Sequence, residues 1–302
     1  MVPVPVYQYI LELLRSVAGN VITSFRLIPV GGGSINETYQ ALANNGQRYF
    51  VKVNRAAELP GLFRSEKEGL ELLAAAGAIR TPLMLGCAET EDHQVLVLEW
   101  IEQGLKSATF WERFGEQLAV LHGQTQTVAP SSQDLAVFGL PFNNYMGALP
   151  QQNEPLADWD QFFIVRRLEP QVKLALDRHL ISAEQAKGFE GVYKALPIIF
   201  GKTAPVLVHG DLWSGNFLCD TDSRPVLIDP AVYYGHPAVD LGMTTLFGGF
   251  EALFYESYHQ HAPLPANYQE QWEVVNLYPL LIHLNLFGKG YLPDILSTID
   301  RY

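Results

Sequence analysis

Two carboxylates and one amide stand in this chain where phosphoryl transfer would need them. The run His209-Gly210-Asp211-Leu212-Trp213-Ser214-Gly215-Asn216 follows an apolar strand-like stretch, and Val226-Leu227-Ile228 leads directly into Asp229 and Pro230. Each carboxylate sits at the end of an apolar strand beside a short loop, where its geometry can be fixed before a substrate arrives. Asp211 could meet an incoming hydroxyl, while Asn216 and Asp229 offer the hard oxygen ligands that suit Mg2+ on nucleotide phosphates. The plain alternative is a hairpin with two polar tips. The full spacing, with both apolar strands, favours the catalytic reading.

Other residues could serve the same chemistry. Gly31-Gly32-Gly33, followed by Ser34, joins two strand-like runs; it is either an ordinary turn or a loop whose N–H groups cover phosphates. Lys52, between Val51 and Val53, leaves the other face of its strand, as a solvated lysine or as a phosphate-gripping cation. Trp213, beside Asp211, could stack on the C–H face of a sugar-like acceptor or belong to the core. His283 and Asn285 are further acceptor candidates, with a buried, satisfied histidine as the alternative for His283. His209 reads as structural, since Asp211 fills the base role. Asp240 opens a helix and would cap it. Asp158-Trp159-Asp160 could hold a cationic amine or merely begin a helix.

The elements that must position these residues fall into two patterns. Helical spacing from Tyr7 to Val17 is followed by strand-like runs over 22–30, 37–43 and 48–53, with Asn44-Asn45-Gly46 as a hairpin turn. An amphipathic helix over about 62–76 and strands over 83–88 and 94–100 complete a five-stranded antiparallel sheet with one helix against it. Beyond Ile101 helices dominate: 109–122, 159–180, 183–196, 241–247, 252–261 and 267–287, with short strands at 205–209 and 225–229. The stretch from Thr127 to Leu156 lacks periodicity and reads as a long functional loop. The expected fold class is α+β and bilobal: a nucleotide-binding lobe over 1–101, a hinge near Glu99 to Gly104, and a helical catalytic and substrate-binding lobe over 102–302.

Composition narrows the function classes. The chain has 302 residues, 48% of them hydrophobic and 17% charged, which fits a globular protein with a sizeable core. A formal net charge of −12 disfavours nucleic acid and anionic membranes as partners, so a few placed cations must hold any anionic ligand. Cys87 and Cys219 are too few and too far apart for a disulfide framework or a zinc site. No secretory signal or membrane span is evident, and a cytoplasmic protein, monomer or weak dimer, is expected.

GGGSIN at Gly31 to Asn36, HGDLWSGN at His209 to Asn216, DPAVYYGHPAVDLGMTTLFGGF at Asp229 to Phe250 and HLNLFGKGY at His283 to Tyr291 together resemble the fructosamine kinase (ketosamine-3-kinase) family. This family lies in the aminoglycoside- and choline-kinase-like branch of the protein-kinase-like superfamily, and the resemblance covers nearly the whole chain. It implies Asp211 as catalytic base and Asn216 and Asp229 as magnesium ligands. It implies that Lys52 grips the α- and β-phosphates of ATP, with Glu66 rather than Glu68 as its partner. The backbone at Glu99, Trp100 and Ile101 would meet adenine, with inter-lobe packing as the alternative for Trp100. Asp240 would also brace the catalytic loop, and the His283 segment would line the acceptor cleft. Ser34 stands where many relatives carry cysteine, so a redox switch there is not expected. The implied reaction is ATP-dependent phosphorylation of the 3-hydroxyl of a ketosamine on a protein or amine, a deglycation activity. Its rivals are another small-molecule kinase of the same branch and a nucleotide-binding pseudokinase.

Overall fold

The computed structural model describes residues 3–19, 21–31, 35–124 and 136–302. Internal contacts divide the chain into two compact units, Met1–Phe110 with Phe217–Asp229, and Trp111–Asn216 with Pro230–Tyr302.

In the first unit α1 (Val4–Ala18) precedes β1 (Phe25–Pro29), β2 (Glu37–Ala43) and β3 (Arg48–Arg55); α2 (Leu62–Ala76), β4 (Met84–Glu89) and β5 (His93–Glu99) follow. The strands form one antiparallel sheet in the order β1-β2-β3-β5-β4, with Val51 opposite Val97 and Lys52 opposite Leu96. Val6, Ile10 and Leu14 recur at helical spacing along α1 and bury against Val51, Val53, Val95 and Val97. Lys52 alternates with those valines and meets α2 on the other face. The sheet therefore carries a helix on each face, not the single one expected. The helix α2 on the Lys52 face turns a strand lysine, solvated in its plain reading, into a buried one.

The second unit begins with α3 (Phe110–Gly123), whose first residue still belongs to the first unit. Residues 127–135 lie outside those described, but 136–156 is no open loop. Within it β6 (Asn144–Met146) pairs with β7 (Leu149–Gln151). The buried amides of Asn144 and Gln151 donate to the Val232 and Ala231 carbonyls, at 2.9 and 3.0 Å. Strands of three residues are too short to show a period, which is why the sequence reads as loop.

Next come α4 (Trp159–Phe163), a π-helical turn (Ile164–Leu168), α5 (Glu169–Asp177) and α6 (Ala183–Phe200). The π turn interrupts the single helix expected over 159–180. It sets Arg167 in the core, its guanidinium 4.0 Å from the Tyr233 ring and donating to the Gln152 carbonyl and to Asn153 Oδ1. Trp159 is buried among Phe163, Phe200 and His236, so its cluster begins a helix.

Four short strands follow: β8 (Val206–Val208), β9 (Phe217–Cys219), β10 (Pro225–Leu227) and β11 (Tyr233–Gly235). The two apolar runs that deliver the carboxylates do not pair with each other. β8 pairs with β11 in the second unit, and β10 with β9 in the first. The helices α7 (Ala238–Leu246), α8 (Ala252–His261), α9 (Tyr268–Val275), α10 (Leu277–Phe287) and α11 (Leu292–Ile299) complete the second unit. The helix expected over 267–287 breaks at Asn276, whose side chain donates to the Gly242 carbonyl of α7 at 2.9 Å. Both cysteines are free thiols. Among the described residues no helix is long and apolar enough to cross a membrane.

Candidate active site

In the second unit β8 runs into the loop that carries Asp211. Gly210 has φ +82°, and a Cβ there would overlap the Ala231 carbonyl oxygen; glycine meets both demands. Asp240, fully buried on α7, accepts the His209 N–H on Oδ2 and the Gly210 N–H on Oδ1, both at 2.8 Å. His122 of α3 lies between Asp240 Oδ2 at 3.1 Å and the Tyr258 hydroxyl at 2.9 Å. A carboxylate only accepts, so Nε2–H donates to Asp240, while Nδ1 pairs with the Tyr258 hydroxyl. Burial alone would raise the Asp240 pKa. The His122 hydrogen bond, the nearby histidines and the Gly210 N–H outweigh it and hold the carboxyl below its ordinary range. Asp240 is thus a charged brace for the loop that carries Asp211. Its role as an N-cap is not seen, because it lies inside the helix and makes no cap bond.

Asn216 directs Nδ2 to the Asp211 carbonyl at 2.8 Å and to Asp211 Oδ2 at 2.9 Å. His209, wholly buried, turns Nδ1 toward the Asp211 N–H at 3.3 Å, which suits a structural role. Trp213 keeps 36% of its surface exposed and folds its ring over Gly215, where any Cβ would collide with it.

The first unit holds the cation. Lys52 Nζ lies 2.7 Å from Glu66 Oε1 and 2.6 Å from Asp229 Oδ1. Glu68, at i+2 on α2, faces another side and pairs with no cation among the described residues. Burial would lower the Lys52 pKa, but the charges of Asp229 and Glu66 override it, and the ammonium stays protonated. Burial, reinforced by the Asp229 charge, pushes Glu66 up against the pull of Lys52. Asp229 has φ +53°, a left-handed conformation that aspartate tolerates and that strain at a working site often explains.

The hairpin β9–β10 fixes where Asp229 emerges. Arg80, which the sequence did not single out, fastens it: its carbonyl accepts the Leu227 N–H at 2.9 Å, and its guanidinium reaches Asp220 at 2.7 Å and Glu99. Asp220 also closes the hairpin turn through the Asp222 and Arg224 N–H groups. The sequence placed 217–229 in the helical lobe; these bonds tie it to the first unit. Neither Arg80 nor His122 left a local signal, because their partners are 140 and 118 residues away.

The remaining candidates divide. Gly31 lies in a bend, and Gly32, Gly33 and Ser34 fall outside the described residues. The Glu99 side chain is taken by Arg80 and the Leu83 N–H, Trp100 packs its ring 6.4 Å from Phe50, and Ile101 is buried. His283 keeps ring contact with Phe247 at 5.0 Å, Phe247 in turn meets Trp213 edge-on at 5.8 Å, and burial lowers the His283 pKa. Asn285 does not join them. It is buried and donates to the carbonyl and to the side chain of Gln171 on α5, both at 3.0 Å, because i+2 on a helix turns away from His283.

The fructosamine kinase family model matches residues 6–302. The chain belongs to the fructosamine kinase family. It is 39% identical to "Probable ketoamine kinase" of Synechocystis sp. over 96% of this chain and 94% of that one. It is 36% identical to the chloroplastic protein-ribulosamine 3-kinase of Arabidopsis thaliana, over 90% of this chain and 81% of that one. Among solved structures, a fructosamine-3-kinase candidate from Haemophilus somnus superposes with a TM-score of 0.84 at 26% identity, covering 97% of this chain and 96% of that one.

For a family of kinases the residues present fit a hard divalent cation. Asn216 directs its donor end to Asp211, and the Asp229 side chain is 46% exposed. Among the described residues no group of three or more His, Cys, Asp or Glu forms a metal cage. Taken separately, the amide oxygen of Asn216 in the second unit and the carboxylate of Asp229 in the first are each of the hard type that magnesium takes, one or two at a time, with phosphates and water for the rest.

Proposed function

We propose that this protein transfers the γ-phosphoryl group of ATP to the 3-hydroxyl of a ketosamine, a fructosamine or ribulosamine on an amine or protein. The observation that carries the reading is the Asp211 carboxylate, oriented by Asn216 on a loop whose backbone N–H groups are fixed by Asp240. Membership of the fructosamine kinase family supports the acceptor class. The product would serve removal of sugar adducts.

Asp211 accepts the proton of the sugar hydroxyl as its oxygen forms the bond to the γ-phosphorus, while the bond to the ADP oxygen breaks. Asn216 holds Asp211 in line, so no reorientation is needed at the moment of transfer. Lys52, kept protonated by Asp229 and Glu66, would neutralise the nucleotide phosphates. Asn216 and Asp229 would hold Mg2+, which supplies charge neutralisation at the transferred group when bound. Trp213 offers an apolar face for the sugar ring, with His283 beside Phe247 as its polar neighbour.

Asp211→Asn tests the assignment. A general base is worth about 10²- to 10⁴-fold, so turnover with a fructosamine should fall by that factor while ATP still binds in calorimetry. Turnover within a few-fold of the parent would sink the role given to Asp211.

A further inference from the structure

A cavity of about 750 Å³ lies in the second unit, away from the loop of Asp211 in sequence and built by α7, α8, α9 and the turn between the last two. Three aromatic rings form its wall. Trp272 stands 5.6 Å from Tyr255 at an interplanar angle of 37°, and 4.8 Å from Tyr268 at 64°. The rings are inclined to one another and so make a concave wall instead of a flat stack. The Tyr255 hydroxyl is fixed at 2.9 Å from Thr244 Oγ1, which holds that ring in place.

Charge decides what such a wall would receive. Glu256 and Glu273 line the cavity, and no lysine or arginine does. Glu273 is already bound by Arg301 at 2.6 Å, whereas Glu256 is exposed and pairs with no cation among the described residues. Aromatic faces joined to an unpaired carboxylate attract an ammonium or guanidinium and repel anions. A neutral sugar could stack there and donate a hydroxyl to the carboxylate, but only a cation gains the charge attraction as well.

The cavity also has a place relative to the candidate acceptor residues within the same unit. Thr245 lines it near the end of α7, and Phe247, two residues on, meets both Trp213 and His283. We propose that this cavity receives a lysine or arginine side chain of the polypeptide that carries the ketosamine, so that acceptors with a basic residue near the modified lysine are favoured. The inference rests on the ketosamine kinase reading. Its volume falls in the range of sites that enclose small organic ligands, and a basic side chain leaves room for part of its own backbone.

The test compares three acceptors: a fructosamine of a simple amine, and two fructosyl-lysine peptides that differ only in a lysine or a serine within four residues of the adduct. In the parent protein the lysine-flanked peptide should show a kcat/KM at least fivefold higher, expressed in KM. Glu256→Gln, an exposed and conservative change, should remove most of that advantage. Trp272→Leu should remove the rest, and both should leave the simple fructosamine within twofold. Equal kcat/KM for the two peptides overturns the proposal. So does an advantage that survives both variants, since the field of a chain with net charge −12 would then explain it. Calorimetric titration with the unmodified lysine-flanked peptide reads the site without turnover, and Glu256→Gln should weaken it at least fivefold. If no ketosamine is phosphorylated, the functional reading fails, while the titration still decides whether the cavity takes a basic side chain.

Discussion

Two aspartates anchor the candidate site residues of this protein, and they are held in opposite ways. Asp240 has no exposed surface, and its oxygens are spent on two backbone N–H groups and a histidine. Asp229 keeps nearly half of its side chain exposed, sits in a left-handed conformation, and bonds the Lys52 ammonium. The first is fully satisfied inside the protein and can only hold a loop still. The second pairs with a mobile kind of side chain, a lysine, and keeps part of its surface open to solvent. A buried carboxylate with every bond met is scaffold; one with a strained backbone and a replaceable partner is poised for chemistry.

Substitution at each anchor separates the two roles. The largest effect is expected at Asp240. Asp240→Asn leaves a buried donor facing a backbone N–H, and should cost about 3 kcal/mol of stability, the scale of breaking a buried charge network. It should also lower kcat at least tenfold with little change in KM for ATP, which denaturation and steady-state kinetics can read. Lys52→Met should do the reverse. Its KM for ATP should rise tenfold or more, but stability should fall by only about 1 kcal/mol, because Glu66 can take up a proton and Asp229 can turn to water. A stability loss as large as that of Asp240→Asn would erase the contrast.

Acid should act on the Asp240 side first. His236, packed against Trp159 and Phe200, accepts the Ala238 N–H on Nδ1, and burial with the nearby His122 charge lowers its pKa to about 3. The unfolded chain binds that proton near its ordinary pKa of 6.5, so stability is complete above 6.5 and falls as pH drops toward 3. The slope should approach 1.4 kcal/mol per pH unit below about pH 6. His236→Asn should flatten it in denaturant titrations between pH 7 and 5, whereas an unchanged slope would assign it elsewhere. The smallest effects distinguish two glutamates. Glu66→Gln should raise the KM for ATP several-fold, while Glu68→Gln should stay within twofold and within about 0.5 kcal/mol of the parent. Equal effects would remove Glu66 from the site.

Much of this site could be read before any coordinates. The HGDLWSGN and DPAVYYG runs fix residue types at set spacings, and the apolar strands before them are local patterns. The same holds for the five strands of the first sheet, whose turns carry Gly and Asn. Asn285 was misjudged within that local language, since a spacing of two on a helix already placed it away from His283. The stretch over 136–156 failed differently. Its buried amides bond to carbonyls 80 and 88 residues away, and polar residues of that kind look like loop until their partners are known.

The sequence by itself determined the strands of the first sheet, the carboxylates and the lysine, because periodicity, turn chemistry and motif spacing act between residues close along the chain. Tertiary structure alone decided that β8 pairs with β11, that Arg80 ties Asp229's hairpin to the first unit, and that His122 supports Asp240. Those choices are made by hydrogen bonds and charges that meet only when distant segments exclude water together, and a single chain of letters records no trace of which distant partner each group will find.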